Sequence, residues 1–71
     1  MRIMEVMESW PVQLRVLDGV KERIVDLDDM ALVKRDGIDV GSGALAPGLS
    51  VRLQVGGPDP QTVQVVEILG D

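Results

Sequence analysis

The chain has 71 residues, and 12 acidic against 7 basic side chains give it a formal net charge of −5. That length allows one domain at most, which buries only about 60% of its unfolded surface, and the excess acid argues against a nonspecific grip on phosphate backbones. There is no cysteine, no histidine and one aromatic residue, Trp10, so a disulfide scaffold and a Cys/His zinc site are excluded and the core must be Val, Leu, Ile and Met.

Residues 1–10 admit two readings. Ile3, Val6/Met7 and Trp10 fall at helical spacing, while Ile3, Glu5 and Met7 also fit a strand. Pro11 ends either element near Ser9-Trp10. The extended reading is preferred, so residues 1–11 are expected to form an N-terminal arm or extra strand, with residues 12–71 as a single small β-barrel domain.

Val12 to Leu17 alternates apolar with polar side chains and predicts a strand, followed by the hairpin signal Asp18-Gly19. Register discriminates between two turns. A two-residue turn at Asp18-Gly19 pairs Leu14 with Arg23. A four-residue loop, Asp18 to Lys21, pairs Leu14 with Val25 and Val12 with Leu27, which keeps one face apolar. The second register is preferred. Glu22 to Leu27 is then the second strand, Asp28-Asp29 is expected to turn the chain, and Met30 to Lys34 or Arg35 is the third strand. Asp36-Gly37 predicts another turn, and Ile38 to Val40 a short extension. Gly41-Ser42-Gly43 is a flexible connection, and Ala44-Leu45-Ala46 leaves room for one helical turn before Pro47.

Ala46-Pro47-Gly48-Leu49 fits a type II turn, with proline presetting φ and glycine taking the positive φ. Val51, Leu53 and Val55 alternate with Arg52 and Gln54. Gly56 to Pro60 breaks the strand and is expected as a five-residue hairpin loop. Val63 and Val65 resume the alternation, and at Val66 the period slips by one, as a β-bulge would cause. The expected fold is therefore all-β, a small five- or six-stranded barrel or sandwich: a three-strand meander, a linker and a closing hairpin.

The stretch from Leu45 to Leu69 resembles the C-terminal strands of S1-type oligonucleotide/oligosaccharide-binding (OB) domains. The residues carrying the resemblance are Leu45 or Ala46, Gly48, Val51, Leu53, Val55, Asp59, Val63 and Val65. The resemblance implies an OB-like barrel in which the first and fourth strands pair. An SH3-like barrel carries the same glycine-then-strand pattern and stays open as the alternative. S1-type domains stack bases on strand aromatics, and this chain has no Phe or Tyr.

Three patterns bear on chemistry. With the valines and leucines inward, Gln13, Arg15, Arg52, Gln54 and Gln64 form a candidate polar face that would hydrogen-bond phosphates or bases. An ordinary solvated sheet face is the competing reading and the preferred one. The acids Asp26, Asp28, Asp29, Asp36 and Asp39 suggest a cation loop, but an EF-hand starting at Asp36 would place Pro47 where its glutamate belongs, and turn formation explains them better. Gly41-Ser42-Gly43-Ala44-Leu45-Ala46 matches G-x-G-x-x-A, yet Pro47 stops the helix that the dinucleotide fingerprint requires. No serine or threonine has a histidine to activate it.

The expectation is a noncatalytic OB-like binding module for single-stranded RNA or DNA, with no cofactor and no metal. The alternative is a protein-interaction or homo-oligomerisation module, for which an exposed Leu17 and Val66 and the terminal methionines would serve as adaptable apolar contacts. No run approaches the roughly 20 apolar residues of a membrane span, and Met1 to Glu5 lacks a signal-peptide run. A cytoplasmic location without membrane association is the default.

Overall fold

A computed structural model describes residues 1–56 and 59–70. Six strands form: β1 (Arg2–Met7), β2 (Gln13–Asp18), β3 (Lys21–Arg35), β4 (Ile38–Asp39), β5 (Ser50–Val55) and β6 (Thr62–Gly70). A 3₁₀ turn at Ser42–Ala44 is the one helical element among the described residues, where the sequence left room for one. The sheet order is β2-β1-β5-β6-β3-β4, and an additional β2–β3 pairing closes it into a barrel-like ring. Closure leaves only short edges, chiefly two-residue β4, to pair with another chain.

The first hairpin shows why the register had to be this one. Leu14 stands opposite Val25, and the Leu27 N–H donates to the Val12 carbonyl at 2.8 Å, as expected. The loop is tighter than expected, because Asp18 already pairs with Lys21 and leaves Gly19-Val20 alone at the turn. Gly19 takes φ 65°, the positive value a two-residue hairpin turn requires at its first position. Asp36 and Gly37 both take positive φ, 55° and 78°, and make the second tight turn, with Arg35 opposite Ile38.

Asp28-Asp29 does not turn the chain. β3 runs unbroken for 15 residues through this pair. Reversal would have required Met30–Arg35 to pair back on the segment before it. Instead this half of β3 pairs in parallel with β6, Val33 opposite Val66 and Arg35 opposite Ile68. Between Leu27↔Val63 and Leu32↔Val65, β3 advances five residues while β6 advances two, so residues 28–31 arch out of the ladder. The Met30 N–H, without a ladder partner there, donates to the Asp28 carboxylate at 3.0 Å.

The closing hairpin has the expected strands. Gly48 takes φ 94° in the Pro47-Gly48 turn. The period slip lies at Gln64, not Val66: Val55 faces Val63, Gln54 faces Val65, and Gln64 is the extra residue of a bulge. Val66 is consequently completely buried, and Leu17 half-buried, so neither is the exposed apolar contact expected of them. Val55, expected inward, lies beyond the bulge and is 47% exposed. The Gly57-Pro58 part of the closing loop lies outside the described residues. A second bulge places Ser50 opposite both Arg2 of β1 and Gly70 of β6.

The barrel interior is aliphatic. Ile3, Leu14, Val16, Val25, Val33, Val51, Val63 and Val66 are at most 1% exposed, with Leu27, Leu45, Leu49 and Ile68 completing the core. Residues 1–11 supply one of its walls. Ile3 is fully buried, its N–H donates to Leu49 and its carbonyl accepts from Gly48, both at 2.8 Å. Arg2–Met7 is a full member of the ring, between β2 and β5. No helix among the described residues is long and apolar enough to cross a membrane.

Candidate functional site

Alternation along each strand puts Gln13 and Arg15 on the outer face of β2, and Arg52 and Gln54 on the outer face of β5. β1 lies between those two strands in the ring, so the two arginines are not on paired strands. In the OB arrangement the first and fourth strands pair. Here the N-terminal strand is the first of the ring, which makes Arg15 a residue of the second.

Each arginine is met by carboxylates of its own sheet. Arg15 Nε lies 3.2 Å from Glu5 and its Nη1 2.6 Å from Glu22. Arg52 Nη1 lies 3.2 Å from Glu67. Register extends the second pair into a row across four strands: Asp39 is opposite Lys34, Lys34 is opposite Glu67, and Glu67 is opposite Arg52. The signs alternate along it, so the face neutralises itself. Gln13 Nε2 donates to Asp26 Oδ1 at 2.7 Å. Gln64, at the bulge, folds its amide over Gly56, where an added Cβ would collide with it. Exposed ion pairs of this kind contribute little to stability, but they set a carboxylate beside each arginine.

The acids do turn and bend work. Asp28 accepts from the Met30 N–H, Asp39 from the Gly41 N–H at 3.1 Å, and Asp59 from the Gln61 N–H at 2.9 Å. No grouping of three or more metal-ligating side chains occurs among the described residues.

A different region gathers the concave surface. Trp10 sits in the β1–β2 loop and is 84% exposed. Pro11 prevents the loop from joining either strand ladder. Around it the loop is pinned: the Ser9 N–H donates to the Met7 carbonyl at 2.8 Å, and Ser9 Oγ donates to the Pro11 carbonyl at 2.8 Å. The indole therefore stands at one end of the barrel instead of entering its aliphatic core. It walls three adjoining concavities of about 300, 110 and 390 Å³. On one side lie Val6, Val12 and Leu45. On the other lie Leu27, Ala31 and the arch of β3, with Asp28 and Asp29 on the rim. Glu8 and Asp26 complete the charged lining, and neither lysine nor arginine contributes to any of the three.

Trp10 is not among the residues that strand alternation placed on the candidate polar face. Its signal was present once the extended reading is taken: the chain's one aromatic residue lies between Ser9 and Pro11, outside the strand alternation on either side. The arch at Asp28–Ala31 carried no such signal, because it follows from pairing with a strand some 35 residues later. Compared with known protein families, curated proteins and solved structures, the chain matches none.

Proposed function

We propose that the chain is a noncatalytic OB-like interaction module that takes a segment of another protein at the Trp10 end of its barrel. The observation that carries this reading is the shared wall. One highly exposed indole lines all three concavities where the β1–β2 loop meets the arch of β3. Exposed tryptophan is the side chain most enriched at interaction hot spots. The OB-like part is supported by the order of elements: a meander, a linker with one helical turn and a closing hairpin, with the first and fourth ring strands, β1 and β5, in contact. OB folds bind ligands on their second and third strands and in the adjoining loops, of which the β1–β2 loop is one.

Single-stranded RNA or DNA is the second reading, and Trp10 favours it specifically, since a base stacked on an aromatic ring contributes roughly 1–3 kcal/mol. The carboxylate lining and the paired arginines weigh against it. Isotope-labelled protein titrated at low salt with short RNA and DNA oligomers, and separately with pooled octapeptides, separates the two. Peptides are expected to move the amides of residues 8–10, 12 and 26–31, with oligomers inert at tens of micromolar protein. Saturable oligomer binding, or peptide shifts confined to the opposite end of the barrel, would overturn the reading.

A further inference from the structure

We infer that the segment taken by the Trp10 groove is cationic: a lysine- or arginine-bearing apolar peptide that rests its charged groups against Trp10 and the carboxylates of the β3 arch. This rests on the docking role proposed above and adds the chemistry of the partner.

Three features point the same way. The groove lining sets hydrocarbon from Trp10, Val12, Leu27 and Ala31 beside the polar groups of Asp28, Asp29 and Ser42. Its charged lining is of one sign, Glu8, Asp26, Asp28 and Asp29, in a chain that elsewhere pairs acid with base across its strands. Low-dielectric walls lined by one sign of charge focus the field and raise the local concentration of the opposite charge. Asp29 is exposed and makes no hydrogen bond or ion pair among the described residues. Asp28 spends one oxygen on the Met30 N–H and keeps the other open.

The indole adds selectivity for the same charge. A guanidinium or ammonium over the face of tryptophan is attracted by the ring quadrupole, and arginine also stacks on it through its planar fork. Carboxylates at the rim then accept the N–H groups the ring cannot satisfy. An anionic segment would meet four carboxylates and no base. A neutral apolar segment would leave Asp28 and Asp29 partly desolvated without compensation.

The test uses three dye-labelled octapeptides that alternate leucine with arginine, glutamine or glutamate, read by fluorescence anisotropy at low salt. The arginine peptide is expected to bind at least tenfold tighter than the glutamine peptide, with the glutamate peptide inert. The double substitution Asp28→Asn, Asp29→Asn is expected to shrink that preference, leaving the share that Trp10, Glu8 and Asp26 contribute, and Trp10→Ala to weaken the arginine peptide at least tenfold. Asparagine keeps the acceptor for the Met30 N–H, so the arch persists, which circular dichroism verifies. Equal binding of the arginine and glutamine peptides, both lost in Trp10→Ala, would overturn the cationic partner and leave the docking role standing. No peptide binding at hundreds of micromolar protein, or binding unchanged in the double variant, would also overturn it. An RNA oligomer that binds where all three peptides fail would overturn the docking role as well.

Discussion

Gln13 on β2 and Asp26 on β3 stand opposite each other in the ladder and are joined side chain to side chain, Nε2 to Oδ1 at 2.7 Å. The bond turns a carboxylate at the margin of the Trp10 groove toward β2. Replacing Gln13 by alanine removes a donor to a charged, part-buried acceptor. The expected loss is about 1 kcal/mol, measured by urea unfolding followed by circular dichroism. An unchanged midpoint would mean that the pair is idle in solution.

Arg15 is held by Glu5 and Glu22, with its side chain 37% exposed. Exposed pairs are worth roughly 0–1 kcal/mol. Arg15→Gln is therefore expected to shift stability by less than about 1 kcal/mol and to leave peptide binding at the Trp10 groove unchanged. A tenfold loss of peptide affinity with the fold intact would move the binding face back to β2.

β1 is a wall of the barrel. Besides Ile3, the Met1 carbonyl accepts from the Val51 N–H at 2.7 Å. Removing residues 1–7 exposes Val16, which faces Ile3, and unpairs one edge of β2. In a domain this small the remainder is expected to lose cooperative unfolding. Dispersed amide resonances in the shortened protein would show that the strand is dispensable.

Two glycines make a matched pair of substitutions. Gly37 has φ 78°, and nothing lies within 4 Å of the Cβ that alanine would add. Gly37→Ala therefore measures backbone strain alone, about 1–2 kcal/mol in the left-handed region. Gly43 has equally open surroundings and no positive φ. Gly43→Ala is expected to be neutral or to stabilise by up to about 1 kcal/mol through the unfolded chain. Equal effects at the two sites would mean that the tight turn relaxes in solution.

What the sequence made legible was whatever is local. Period-two alternation located β2, β5 and β6, and the pairing of Leu14 with Val25 followed from keeping charge out of the barrel. Asp36-Gly37 and Pro47-Gly48 announced their turns through residues that tolerate positive φ. Non-local pairing was not legible. Asp28-Asp29 has turn chemistry, yet the parallel partner β6 draws β3 onward and converts a reversal into an arch. The bulge at Gln64 moved the inward position to Val66 for a similar reason. The same gap governs the site. Outward-pointing arginines could be read from alternation, but not that Glu5, Glu22 and Glu67 would stand beside them. The groove forms only once the arch meets the Trp10 loop, and no single segment encodes it.

Ser50 sits between Arg2 and Gly70, the first residue of β1 and the last of β6. With neighbouring strands about 4.8 Å apart, these two positions lie roughly 10 Å from each other, at the same end of the ring. A linker of about four residues would span that gap. The barrel is thus suited to circular permutation: new termini opened at the Gly19-Val20 turn, where Val20 is fully exposed, would keep the rungs of the ladder and add a covalent link between the ends of β6 and β1. The permuted chain is expected to reach its native state more slowly, because the local β2–β3 hairpin becomes a pairing between the two ends of the chain.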